Sequence, residues 1–193
     1  MGKRQMSPLY RRCIESQLEA FPDYTHELID DEKALLLLQS ANKLYDGVNT
    51  VDEYMKLPFI TPDYLRCFFL SLNSDTLYCD CDVFMENKGF PPLSPDQPAM
   101  ERIAHTKIYN SGIIWNGART DIFDEASRYW FGQKGIAFIN GAMNKLAVQN
   151  DFQPLETGFI HYMIGCWFGY NEKKIFDEEG VPDRLLTKGF SNG

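Results

Sequence analysis

A chain of 193 residues with 44% apolar and 14% aromatic side chains can build one domain that buries about 70% of its unfolded surface. Nineteen Lys and Arg against 27 Asp and Glu leave a formal charge of −8, which opposes non-specific binding to phosphate backbones and anionic membranes. The densest apolar runs, 34–38 and 67–70, fall far below the about 20 residues that a membrane-spanning helix needs.

Ser7-Pro8 pairs an N-cap with a proline at the first helical position, and Tyr10, Cys13, Ile14, Gln17, Leu18 and Phe21 recur at helical spacing up to Pro22. Asp30 or Asp31 caps a second helix whose run Ala34-Leu35-Leu36-Leu37-Leu38 is apolar on nearly all sides, which predicts a central position; Gly47 stops it. Thr50 and Glu53 have the spacing of a capping box, and Thr61-Pro62-Asp63 opens another helix with Leu65, Phe68, Phe69 and Leu72 inward.

After the turn residues Asn73-Ser74-Asp75, the stretch 77–84 alternates with period two and predicts a strand. Leu77, Cys79, Cys81 and Val83 share one side, and Tyr78, Asp80, Asp82 and Phe84 the other. The proline-rich stretch 87–95 reads as an internal loop, and 1–193 as one globular domain around it. Ser94-Pro95-Asp96-Gln97 resembles a helix start, followed by Met100, Ile103, Ala104, Lys107 and Ile108 at helical spacing; a hairpin closing at Asn110-Ser111-Gly112 is the alternative. Residues 113–115 predict a second short strand.

Thr120 or Asp121 caps a helix that buries Ile122, Ala126, Tyr129 and Trp130, and a further helix carries Ile136, Ile139, Met143, Leu146 and Ala147. A last helix from about Pro154 places Leu155, Phe159, Tyr162, Met163, Cys166, Trp167 and Tyr170 on one side. Its Gly165 and Gly169, one turn apart like Ala137 and Gly141, allow a close helix crossing or else a break at Gly169. The expected fold is mainly α, an all-alpha single-domain bundle-like array of roughly seven or eight helices with a short β-strand or hairpin near 77–84 and 113–115.

Cys13, Cys67, Cys79, Cys81 and Cys166 show no Cys-x-x-Cys spacing and lie mostly in apolar periodic stretches, as reduced core thiols do. With a basic N-terminus that lacks a signal-peptide apolar segment, this predicts a soluble protein of the cytoplasm or another reducing intracellular compartment, with no membrane and no cofactor.

The sharpest chemical candidate is the pair Asp80 and Asp82. Carboxylates two apart on a strand project from one face with roots roughly 6–7 Å apart, a geometry that can chelate Mg²⁺ for phosphoryl or nucleotidyl transfer. The apolar-Asp-apolar-Asp-apolar pattern Cys79 to Val83 resembles the catalytic strand of the polymerase-beta-like nucleotidyltransferases, which implies a strand-borne metal pair. The resemblance covers those few residues; Ser71-Leu72-Asn73-Ser74 stands where that group carries a Gly-Ser turn and helix. A solvated strand face is the structural reading of the same pattern. Cys79 and Cys81 form a single Cys-x-Cys, short of the four donors of a closed zinc site, and fit small core residues.

Glu101 and His105, at i and i+4 of the predicted helix, can co-ligate a metal or form an exposed pair. Glu156 and His161, five apart, diverge around theirs, and His26 has no identified partner. Asn116-Gly117 before Arg119-Thr120 could hold an anion on free amides but reads as turn punctuation. The runs Tyr129-Trp130-Phe131 and Trp167-Phe168, with Tyr170, exceed what one helix stripe can bury, so they form either a partner-facing patch or a second buried face.

The resulting expectation is a non-enzymatic adaptor, assembly subunit or inhibitor that binds a protein partner or self-associates through an acidic, aromatic-bearing surface. A metal-dependent transferase using Asp80 and Asp82 is the rival, and an acidic mimic of nucleic acid that binds a basic protein is the third reading; nucleic acid itself is not an expected ligand.

Overall fold

The structure, a computed structural model, describes residues 8–56, 61–86, 90–103, 106–133 and 140–162. In chain order these form α1 (Pro8–Ala20), α2 (Asp31–Leu44), α3 (Val51–Met55), α4 (Thr61–Leu72), β1 (Leu77–Cys79), β2 (Val83–Met85), β3 (Ala99–Arg102) and β4 (Tyr109–Trp115). Helices α5 (Thr120–Phe131) and α6 (Asn140–Gln149) and strands β5 (Gln153–Leu155) and β6 (Phe159–His161) follow. One sheet has the order β1-β4-β3-β5, and β2 pairs with β6 in a second. No helix among the described residues is long and apolar enough to cross a membrane.

The mainly α, all-alpha expectation is therefore overturned: the protein has a mixed α/β fold with two sheets. Three local competitions explain the difference. Met100, Ile103 and Ile108 match a helical period, yet 99–102 pairs antiparallel with 109–115 (Ala99↔Trp115, Met100↔Ile114, Arg102↔Tyr109, with a bulge between Met100 and Arg102). Ile103 N–H donates to Ile108 O (3.0 Å) and Thr106 Oγ1 to Ile103 O (2.7 Å), and Asn110-Ser111-Gly112 lies inside β4. The helix expected from Pro154 is β5 and β6 over its described part, because Gly158 at φ +88° takes a conformation foreign to a right-handed helix. Its remainder, with Met163, Cys166, Trp167, Phe168 and Tyr170, lies outside the described residues. The single strand expected over 77–84 is β1 and β2, separated by a turn in which Val83 N–H donates to Asp80 O (3.1 Å).

The chain divides into two compact units, whose described parts lie within 27–78 and 93–154 for the first and 8–26, 79–92 and 155–162 for the second. In the first, α4 buries Tyr64, Leu65, Cys67, Phe68 and Leu70, while Phe69 is half-buried and Leu72 exposed. The rings of Tyr45, Tyr54, Tyr64 and Phe68 surround Phe131 of α5 at centroid distances of 6.0, 5.4, 5.7 and 6.3 Å, the separations that aromatic pairs favour. Helix α2 buries Leu37, Leu38 and Ala41 but leaves Leu36 57% and Leu44 55% exposed, so its leucine run is half-buried rather than central. Its cap is Asp30, which accepts from Lys33 N–H (2.9 Å), and Thr50 and Glu53 form the expected capping box of α3.

Two buried polar clasps complete this unit. The Arg66 guanidinium meets Asp63 Oδ1 at 2.9 Å, donates to Ser111 O and to Pro62 O, and lies 4.8 Å over the Tyr78 ring. The Asn116 carboxamide donates to Leu70 O (2.8 Å) and Asn73 O and accepts from Thr76 N–H (2.9 Å). Gly117 follows at φ +53°, and a Cβ there would collide with Pro95 O.

In the second unit α1 packs on β2, and its buried residues are Leu9, Cys13 and Ser16; Leu18 of the expected stripe is exposed. Leu9, Cys13, Ile160 and Tyr162 form its apolar cluster, with Phe84 against it. The β2–β6 register is Val83↔His161, Phe84↔Ile160 and Met85↔Phe159.

Candidate metal centre

The turn between β1 and β2 carries Asp80, Cys81 and Asp82, and its backbone is held from two directions. Gln17, projecting from α1, donates through Nε2 to Asp80 O (2.9 Å) and Val83 O (2.7 Å), so one carboxamide bridges both ends of the turn. Tyr162 N–H, just past β6, donates to Asp82 O (3.1 Å). Ser16 Oγ, one residue before Gln17, donates to Cys13 O (2.6 Å) and accepts from Met85 N–H (2.8 Å), which fixes β2 against the helix. Each bond satisfies a backbone group that burial would otherwise leave at a cost of about 1–3 kcal/mol.

This framework aims three side chains at one point. Because Val83 pairs with His161, the imidazole stands beside the residue that follows Asp82. His161 Nε2 is 3.4 Å from Asp82 Oδ1 and 3.9 Å from Asp80 Oδ2, and the ligand atoms of all three lie within 4.8 Å of one another. Donors that share an ion at about 2.0–2.2 Å each are separated by roughly 3–4 Å, the range of both contacts. His161 and Asp82 are buried, whereas the Asp80 side chain is 26% exposed and gives the group a side open to water.

The neighbouring thiols are buried beside these carboxylates. Burial, then Asp80 and Asp82, pushes the Cys81 thiol up to about 11. Burial, then Asp82 and Cys81, pushes Cys13 up to about 12. Two carboxylate oxygens with one imidazole nitrogen suit Mn²⁺, Fe²⁺ or Zn²⁺, and three protein donors leave coordination positions for water or substrate.

The structure thus unites Asp80 and Asp82 through a turn, not along a strand face, and the strand-borne pair implied by the nucleotidyltransferase resemblance is absent. His161 is the partner that sequence reasoning misses: helical spacing sets it diverging from Glu156, whereas strand pairing brings it to the aspartates. The signal in the sequence is Gly158 followed by Phe159-Ile160-His161-Tyr162, a glycine turn leading into a short apolar strand that carries one imidazole.

The other candidates do not converge. Glu101 lies buried on β3, not on a helix, and accepts from Asn110 Nδ2 (3.1 Å); His105 is outside the described residues. His26 contacts Phe21 O (2.8 Å) on the surface. Arg119, beside the stretch that could hold an anion but reads as turn punctuation, is engaged by Asp121 through two 2.9 Å contacts, and it is the N-cap residue of α5 in place of Thr120 or Asp121. Tyr129 is 64% exposed, but Trp130 and Phe131 belong to the core and cannot contribute to a partner-facing patch. No family model, no curated protein and no solved structure matches the chain.

Proposed function

We propose that the protein is a divalent-metal-dependent enzyme of phosphoryl-group transfer or hydrolysis, with Asp80, Asp82 and His161 as the metal ligands. The observation that carries this reading is the convergence of the three ligand atoms within 4.8 Å, two of the side chains being buried. An ion there offsets two carboxylate charges and keeps open positions, at which it can neutralise the oxygens of a transferring phosphoryl group or activate a water. Calorimetric titration of the full chain with Mn²⁺ and Zn²⁺, beside Asp82→Asn, tests it. Binding by the native chain at one site, at least tenfold weaker in the variant, is the expected result, and metal-dependent hydrolysis of an aryl phosphate is the activity readout. Equal and negligible heats overturn the reading and leave an imidazole–carboxylate contact of purely structural role.

A second reading, a protein partner or a second copy of the chain, is favoured by the exposure of Leu36, Leu44, Tyr129 and Val148 in the first unit. Sedimentation of the purified chain as a monomer across micromolar concentrations would remove self-association from it.

A further inference from the structure

Strand register sets the surroundings of the metal centre as well as its ligands. Opposed residues of an antiparallel pair share a face, so Val83, Met85, Phe159 and His161 point to one side of the β2–β6 pair. Phe84 and Ile160 point to the other, where they cluster with Leu9 and Cys13 of α1. Phe159 therefore stands on the face of the imidazole, two residues before it and about 6–7 Å along the strand. Its ring meets Phe90 at a centroid distance of 6.5 Å, Phe90 meets Phe21 at 5.3 Å, and Phe21 meets Tyr24 at 5.6 Å. Phe21 reaches the same region from α1. It lies one helical turn beyond Gln17, whose carboxamide holds the Asp80 turn, and its N–H donates to Gln17 O (3.2 Å). Two separate elements thus carry one chain of rings up to the metal centre.

These rings are not closed off from water. Val83 and Met85 are fully buried, whereas Phe21, Phe90 and Phe159 are half-buried and Tyr24 is 39% exposed. The metal centre is itself open on its Asp80 side. Partly open aromatic rings beside partly open metal ligands suit a flat apolar group that is joined to an anion. We propose that Phe21, Tyr24, Phe90 and Phe159 form a subsite for the planar aromatic part of a small phosphate ester, a nucleobase or an aryl ring, whose phosphate oxygens lie at the Asp80–Asp82–His161 centre. The inference rests on the metal-dependent reading above and names the substrate class of that same site. The charge and the ring of such an ester are a few bonds apart, which is the scale of two residues of strand. The formal charge of −8 opposes a polynucleotide but admits a monomeric ester, whose charge the ion meets.

Calorimetry on the full chain loaded with Mn²⁺ tests this with ligands that differ chiefly by the ring: adenosine 5′-monophosphate against ribose 5-phosphate, and phenylphosphonate against methylphosphonate. In at least one pair the ring-bearing member is expected to bind about tenfold more tightly, the gain of one aromatic stack. A gain confined to the first pair assigns the subsite to a nucleobase, and one confined to the second assigns it to a simple aryl group. Phe159→Leu keeps apolar bulk and removes the ring, so it is expected to abolish the gain while Mn²⁺ affinity stays at the native value. Tyr24→Ala, a change at an exposed side chain, reduces the gain and decides the matter if the leucine variant fails to fold. Equal affinities within both pairs, or a gain that survives both substitutions, overturn the ring subsite and leave the metal centre standing. Absence of any Mn²⁺ binding heat overturns both.

Discussion

Among the described residues the two units show different kinds of contact. In the first, burial does most of the work: Phe131 sits within four aromatic rings, and the two charged or amide clasps, Arg66 and Asn116, are enclosed by that core. In the second, the described contacts are chiefly polar and specific, with Gln17, Ser16 and the Tyr162 N–H each fastening a backbone group of the β1–β2 turn or of β2. Apolar burial is non-directional and tolerates small displacements, whereas hydrogen bonds to a turn fix its dihedral angles. For the proposed metal centre, which would need three ligand atoms at a fixed separation, the second kind of contact gives more than another buried leucine.

The comparison breaks most visibly at Phe131. Phe131→Ala leaves a cavity bounded by Tyr45, Tyr54, Tyr64 and Phe68, with an expected loss of about 3–5 kcal/mol in denaturant unfolding of the full chain. Amide hydrogen-exchange protection at Glu86, which donates to Gly158 O, and at Tyr162, measured under native conditions, is expected to change less than at Ile103 of the first unit. A uniform loss would show that the two units unfold as one.

Gln17→Met tests the other side. The substitution keeps the length of the side chain and deletes both donations to Asp80 O and Val83 O. Groups that orient metal ligands from behind typically contribute 10–100-fold to affinity, so Mn²⁺ binding is expected to weaken by that factor. Thermal stability of the first unit stays at the native value. Gln17→Asn, whose amide is one methylene short of the turn, is expected to resemble the methionine variant and not the native chain.

Legibility in the sequence follows the same division between local and non-local causes. The capping box at Thr50 and Glu53, the cap at Asp30 and the helix opening at Thr61 are decided within four residues, and each is found where the spacing places it. Strands β3, β5 and β6 have three or four residues, too few for a period of two to outweigh accidental helical spacing among Met100, Ile103 and Ile108 or among Leu155, Phe159 and Tyr162. The aspartates were legible as a pair, although through an alternation that the turn interrupts. His161 was not, because only the β2–β6 register, a long-range pairing, brings it to them.

Alkaline pH sharpens the contrast by a smaller step. The Cys13 thiol, at about 12 in the folded chain against an ordinary 9.0, keeps its proton in the folded state after the unfolded chain has lost its own. Its contribution is therefore complete below about pH 9 and declines as pH rises towards 12. Cys13→Ala removes that slope with little change in volume. Protection at Glu86 and Tyr162, corrected for intrinsic exchange rates, is expected to fall less between pH 8 and pH 11 in the variant than in the native chain. A parallel fall in both would assign the alkaline loss to other groups.

The smallest effect is the most local. Thr50 Oγ1 accepts from Glu53 N–H (3.2 Å), and the Glu53 carboxylate accepts from Thr50 N–H, so two of the unsatisfied donors at the start of α3 are met reciprocally. The bond to the backbone holds the Glu53 carboxyl below its usual range, so this part of the box is present at neutral pH and is lost as pH falls through the lowered value. Thr50→Ala is expected to cost about 1 kcal/mol in denaturant unfolding, and Thr50→Ser, which keeps the accepting oxygen, much less. Helix α3 has five residues and buries Tyr54 against Tyr64 and Phe131, so packing rather than intrinsic propensity keeps it folded. An alanine cost well above 2 kcal/mol would mean that the cap also sets the angle at which Tyr54 enters the ring cluster.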